Sequence, residues 1–298
     1  MNTDPVNPIK DDITIEPICD VRQTVFIDKI KPYIYNKDLT NLMYKFLIKT
    51  FRNADKHLLI NIIDYIYNSY KDSITDSELF TTIKSKLLIH KNKQLHNSGR
   101  STSRILDLHY HLTPYIGYGP YLDIGCSEGS LTHAIGEYLQ LSSDDIYGCD
   151  IIEYKSNDKD LIYTKASSDK LPFDDGKFQF TSMIMSLHHF ADPYISLAEA
   201  HRVLAPGGIL LIREHNCTEK YFDVFLDFIH YMYAIVINNE IILSDQELDC
   251  NRHMIVAEYR SIYQFNNIIT KSGFEKIKYI FPKYTDMYRS YYALYKRI

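Results

Sequence analysis

The sequence predicts an α/β protein: a doubly wound, seven-stranded sheet with an antiparallel C-terminal hairpin, preceded by an all-helical region. Three observations carry this. From Val21 to Ile116 apolar residues recur three and four apart and glycine is almost absent, the pattern of packed amphipathic helices. After Gly119-Pro120 short apolar runs alternate with helical stretches, which gives parallel strands joined by crossover helices. Near the C-terminus two apolar runs are separated only by Pro282 to Asp286, so they pair as a hairpin.

In chain order, residues 1–20 are polar and acidic and are expected to form a disordered arm. Residues 21–117 form the helical extension. Phe26, Ile30 and Tyr33 make one apolar stripe; Leu42, Phe46 and Ile48 belong to a second; Leu58, Ile62, Ile63 and Ile66 make a third. Asn53 to Asp55, and Thr75 with Asp76, supply the side chains that start helices. Asn97-Ser98-Gly99 breaks the pattern before a connecting helix over 101–112. The α/β domain spans 118–298. Its strands are expected at Tyr121–Ile124, Asp145–Cys149, Leu161–Lys165, Phe178–Ile184, Gly208–Arg213, Phe274–Phe281 and Met287–Lys296, with helices at about 130–140 and 193–204. Val224 to Leu243 is the most apolar stretch, but Asp227, His230, Asn238, Asn239 and Glu240 within it would be costly in lipid. It reads as a buried helix and its exit, so no membrane association is expected. Ser244–Arg252 reads as a mobile cover over the ligand crevice.

Five cysteines, none in a CxxC pair, favour reduced thiols in a cytoplasmic protein over disulfides or a zinc cluster, and no metal site is expected. The N-terminus MNTDPVNPIKDD lacks the basic and then apolar order of a secretory leader. The net charge of −5 is unevenly spread, because residues 21–100 are basic and the remainder is acidic. The basic run Lys84, Lys86, Lys91, Lys93, Arg100 and Arg104 could dock RNA through phosphates, and residues 21–117 could instead hold a partner protein. Helical surfaces rich in lysine are more often simply solvated.

The chemistry concentrates after the first strand. In YLDIGCSEGSLT (121–132) a strand runs into a turn and a helix with glycines at 125 and 129. A pyrophosphate loop would need G-x-G-x-x-G, whereas the spacing here is D-x-G-x-x-x-G, with Ser127 where a middle glycine often stands. In IYGCDI, Asp150 ends the second strand at about the spacing from the glycine loop expected of an acid that binds ribose hydroxyls. RVLAPGGILLI, beginning at Arg202, makes a turn into the fifth strand, and YRSIYQFNNIITKSGF (259–274) is a helix that leads into the sixth.

With these motifs, residues 119–298 resemble the class I, Rossmann-like methyltransferases that use S-adenosyl-L-methionine (SAM), in particular the broad small-molecule "methyltransferase type 11" group. The resemblance implies SAM as cofactor. Its site would draw on Asp123, Gly125, Cys126, Ser127 and Gly129 of the loop, on Asp150 and Ile151, and on Met185. Asp123 would accept a hydrogen bond from the SAM ammonium, and Asp150 would bind the ribose. The acid that such enzymes place four residues before the Leu of LPF is Ser167 here, so Ser168 or Asp169 is expected to substitute. Leu171 and Phe173 are expected to pack.

In SMIMSLHHFADP (182–193), His188 and His189 sit at the mouth of the fourth strand, and Glu214 and His215 end the fifth. Imidazole titrates near neutrality, so these four are the candidates for proton removal from a methyl acceptor, with a structural role the competing reading. The acceptor is not specified: a small molecule, RNA and protein all remain open. An alternative class is a catalytically silent methyltransferase-fold subunit that regulates a partner through its helical extension. The departures at Ser127 and Ser167 favour it, and the retained Asp123, Gly125, Gly129 and Asp150 oppose it.

Overall fold

The computed structural model describes residues 25–90, 100–152, 160–237, 257–282 and 287–298. The expected arm at 1–20 and the expected cover at Ser244–Arg252 lie outside them. Four helices lead the described chain: α1 (Val25–Ile30), α2 (Lys37–Thr50), α3 (Lys56–Asn68) and α4 (Asp76–Leu87). The starts of α2, α3 and α4 follow from side chains that satisfy the orphan amides of a first turn. Asn36 accepts from the Leu39 amide, Asp55 from the His57 amide, and Thr75 with Glu78 makes a reciprocal capping box. Helix α5 (Arg100–Leu112) then leads into the sheet.

The sheet has seven strands: β1 (Tyr121–Ile124), β2 (Ile146–Asp150), β3 (Ile162–Lys165), β4 (Phe178–Ile184), β5 (Leu204–His215), β6 (Phe274–Ile280) and β7 (Ser290–Arg297). Their order is β3-β2-β1-β4-β5-β7-β6. The first five pair in parallel, and β7 pairs antiparallel with both β5 and β6. β5 is longer than expected because the Pro206-Gly207-Gly208 turn is a bulge inside it: Phe178 pairs with Leu204, whereas Phe180 pairs with Ile209. The crossover helices are α6 (Ser130–Tyr138), α7 (Pro193–Val203), α8 (Lys220–Tyr231), which continues as a π-helical turn over Met232–Ile237, and α9 (Ile262–Lys271).

Three apolar cores result. Strand residues alternate faces, so Leu122 and Ile124 pack with α7 and α9 on one side, while Tyr121, Phe180 and Leu211 pack with α5 and α6 on the other. The third core lies beyond the carboxyl ends of β4 and β5 and joins α1–α4 to α8 and the π-helical turn. Phe228 of α8 sits fully buried among Phe26, Phe46 and Phe80, with ring centroids 5.6–6.4 Å apart. The helices read from sequence as one extension therefore separate: α1–α4 pack on an insertion after β5, and α5 covers the sheet. No described helix is long and apolar enough to cross a membrane.

Candidate functional site

Chain order reverses between β1 and β4, and in open α/β sheets ligands bind at such a switch point, outside the carboxyl ends of the strands. A cavity of about 490 Å³ lies there. It is lined by the ends of β1 and β2 (Ile124, Gly125, Ser127, Cys149, Asp150, Ile151, Ile152), by Ala166 to Asp169, and by Met185, Ser186 and His189 to Asp192, with Ile195 and Ser196 of α7.

The loop after β1 is built by its backbone. Gly125 has φ of 78°, and a Cβ there would stand 2.5 Å from the Cβ of Ser186. The glycine thus lets β1 approach the end of β4. The Gly125 and Cys126 amides both donate to the Cys149 carbonyl, and the Ser127 amide donates to Asp150 Oδ2 at 2.9 Å. These amides serve the neighbouring strand, so the loop does not form a phosphate cradle. Ser127 adopts φ of 51° and Met185 φ of 59°, left-handed conformations that cost an L residue about 1–2 kcal/mol each. Both line the cavity.

Asp150 accepts from the Ser127 amide through Oδ2 and from the Ile152 amide through Oδ1. A carboxylate has about four lone-pair positions, so acceptor capacity remains for a diol. Ser168 and Asp169 line the same wall, and the Ser168 hydroxyl is 2.9 Å from that of Ser196. Leu171 is buried in the sheet core, with Phe173 packed against it.

Three of the residues expected to hold a cofactor lie outside the cavity lining. Asp123 is buried beneath it, where Oδ1 accepts from the Ser182 hydroxyl at 2.5 Å and Oδ2 from the Thr132 hydroxyl at 2.7 Å. Burial pushes its carboxyl up to about 6, the two donors pulling the other way. Cys126 is buried against Gly148, and Gly129 is the left-handed residue that starts α6. The lining residues that sequence reasoning passed over are mostly Ser186, Phe190, Asp192, Ile195 and Ser196. Asp192 carried a usable signal, since it precedes Pro193 as a helix cap and accepts from the Tyr194 and Ile195 amides.

The four candidates for proton transfer divide. His188 and His189 lie in a short helical turn, and only His189 lines the cavity. His188 is buried, and its Nδ1 lies 2.6 Å from Glu214 Oε2, while its amide donates to Glu214 Oε1. His215 is also buried, with Nδ1 2.7 Å from the Tyr288 carbonyl. Burial, with the nearby Arg213 guanidinium, pushes the His188 imidazole down to about 3; burial and the His188 ring do the same for His215. Burial pushes Glu214 up to about 7.

Two residues to which the sequence reading gave no role in a site complete this side: His230 of α8 and Tyr259. The His188 and His230 ring centroids are 5.6 Å apart, those of His189 and His230 5.0 Å, and those of His188 and Tyr259 5.4 Å. The His230 Nδ1 faces the Leu226 carbonyl at 3.0 Å and the Tyr259 hydroxyl. Behind them Lys29 of α1 reaches Asp227 at 2.6 Å.

Residues 122–212 match a family model described as the methyltransferase domain. The chain is 31% identical over 119 residues to a ubiquinone/menaquinone biosynthesis C-methyltransferase of Shewanella piezotolerans, covering 35% of this chain and 47% of the relative. It is 27% identical over 119 residues to the human mitochondrial 2-methoxy-6-polyprenyl-1,4-benzoquinol methylase, covering 40% and 36%. The match thus spans less than half the length of these relatives. Among solved structures, a SAM-dependent methyltransferase from Mesorhizobium loti aligns with a TM-score of 0.47 at 15% identity, over 65% of this chain and 97% of that one. A protein from Pyrococcus horikoshii aligns with a TM-score of 0.47 at 21% identity, over 68% and 93%.

Proposed function

With residues 122–212 matching a methyltransferase domain, we propose that the chain is a SAM-dependent methyltransferase of the class I, Rossmann-like type that transfers a methyl group to a small-molecule acceptor bearing an ionisable hydroxyl. The observation that carries the proposal is the switch-point cavity with Asp150 in its wall. Its contents fit the donor: a carboxylate for the ribose diol, and Ile151, Ala166, Phe190 and Ile195 as apolar walls for a base. When bound, SAM supplies an electrophilic methyl group that is displaced in line from a neutral leaving thioether.

The remaining work belongs to the protein and is mainly alignment, which contributes up to roughly 7–11 kcal/mol in well-oriented reactions. Gly125 and Ser186 set the spacing of β1 and β4 under the cavity. His189 is the imidazole placed to receive a proton from an acceptor on the cavity side, and Glu214 positions the neighbouring His188. One relative is a C-methyltransferase of ubiquinone/menaquinone biosynthesis and the other a benzoquinol methylase. This favours a ring acceptor whose hydroxyl, once ionised, raises the electron density of the ring carbon that takes the methyl group. An RNA acceptor has weaker support. Arg104 of the basic run interacts with Asp123 and Tyr292 in the α/β domain, and Lys91 and Lys93 lie outside the described residues.

Calorimetric titration with SAM and its demethylated product tests the donor site. Wild type is expected to bind both, and Asp150→Ala to bind at least about tenfold more weakly, as for a lost hydrogen bond to a charged group. A folded wild type that binds neither would put the silent, partner-regulating subunit in the place of this reading.

A further inference from the structure

We propose that His188, His189 and His230 form a binding site for a divalent transition metal, zinc in the first instance, beside the methyl-donor cavity. The inference rests on the proposed function only for the metal's use, not for its binding.

Three observations carry it. The ligand-capable atoms of the three histidines all lie within 4.8 Å of one another. The His188 Nε2 is buried and has no hydrogen-bond partner, an arrangement that native proteins seldom tolerate without an unseen ligand. The outer nitrogens are already held: Nδ1 of His188 by Glu214, and Nδ1 of His230 by the Leu226 carbonyl and Tyr259. A metal-bound histidine characteristically donates its second N–H to a carboxylate or a backbone carbonyl, which fixes the ring and directs the other lone pair inward. In the tautomer where Nδ1–H donates to Glu214, the lone pair of Nε2 points at the orphaned position.

The donor set selects the ion. Three imidazoles with no thiolate and no direct carboxylate suit zinc or its neighbours, and exclude calcium and magnesium, which take oxygen ligands. Tetrahedral zinc with Zn–N of about 2.0–2.1 Å needs nitrogens about 3.4 Å apart, so the rings must close by at most about 1.4 Å from their present limit. His189 and His230 are only half-buried, and His189, at the cavity wall, can turn to supply this closure while His188 and His230 stay held through Nδ1. Three protein ligands leave a fourth position, the arrangement of catalytic rather than structural zinc. Because His189 also lines the donor cavity, that position can take an acceptor oxygen, whose proton then passes to water, so that with the metal bound the ion replaces the His189 imidazole in assisting proton loss.

The test uses the full chain, without an affinity tag and stripped with a chelator. Zinc alone is titrated against a chromogenic competitor, and cobalt is added to a second sample to read the visible d–d bands of a tetrahedral site. His189→Gln and His230→Gln are the variants, with circular dichroism as the check on folding. One equivalent of zinc, a tetrahedral cobalt spectrum in wild type, and affinity at least about tenfold weaker in both variants are expected; Glu214→Gln should weaken it by about tenfold or more. No stoichiometric zinc and no tetrahedral cobalt bands in folded wild type would overturn the site. Zinc affinity equal in wild type and both folded variants would overturn it as well. SAM titration of the same chain separates the two ideas: a chain that binds SAM but takes up no zinc sinks only this inference, and one that takes up zinc but binds no SAM sinks only the methyl-transfer reading.

Discussion

The donor cavity and the histidine cluster share His189 but are built in opposite ways. The cavity is assembled from short segments at strand ends, and much of its shape is backbone: a left-handed glycine, two strained residues, and amides spent on neighbouring strands. The cluster is assembled from side chains alone, brought together from the turn after β4, the end of β5, α8 and Tyr259. One can survive small changes around it because its shape is local. The other depends on a helical layer that must dock correctly before its rings meet.

The largest expected effect follows from that dependence. Phe228→Ala removes the ring that joins α8 to α1, α2 and α4 and should cost about 3–5 kcal/mol, as for other fully buried aromatic residues. Hydrogen exchange in residues 25–87 and around His230 should rise, while SAM affinity changes by less than about threefold, since additivity holds for sites without shared partners. An equal loss of protection in β1, β2 and β4 would mean that the two regions are one cooperative unit, and the contrast drawn above would fail.

This difference also explains what could be read from the sequence. All seven strands were legible, because strand periodicity and the turn residues between strands are local. The cavity wall was partly legible for the same reason: Gly125, Ser127, Asp150, Ile151, Ser168, Asp169 and Met185 stand in short motifs and line it. Ser127 and Met185 adopt conformations a sequence does not announce, since neither is glycine. His230 and Tyr259 were not legible at all. His230 lies in an apolar helix where a single histidine carries no signal, and the two histidines it meets in space are 41 and 42 residues away in the chain. Likewise, nothing local tells that α1–α4 pack on α8 while α5 packs on the sheet.

Asp123 sharpens the comparison from beneath the cavity. Its carboxyl, pushed up from the ordinary 3.8 to about 6 by burial, holds its proton more tightly folded than unfolded. Its contribution to stability is therefore full below pH 3.8 and is lost as pH rises through 6. Compared with Asp123→Asn, wild type should lose up to about 3 kcal/mol of stability between pH 4 and pH 7. SAM affinity should stay near that of wild type, because the Asp123 oxygens are spent on Thr132 and Ser182. Denaturant midpoints of the two proteins across this range decide the matter: a constant difference would mean that Asp123 is ionised in the fold throughout.

The smallest effect bears on whether the donor loop is degraded or merely different. Ser127 holds φ of 51° and is exposed, and its side chain is not what binds Asp150; its amide is. Ser127→Gly should relieve about 1–2 kcal/mol of backbone strain and lose roughly 0.5–1 kcal/mol to the greater freedom of the unfolded chain. A net gain of about 0–1.5 kcal/mol corresponds to a rise in melting temperature of at most roughly 4 °C. The amide, the Asp150 contact and SAM affinity should be unaltered. If so, serine at this position is tolerated strain rather than the mark of a lost site. A variant that instead gains SAM binding tenfold or more would show that the serine had been blocking the cavity, and would move the silent-subunit reading forward on the donor side while leaving the histidine side untouched.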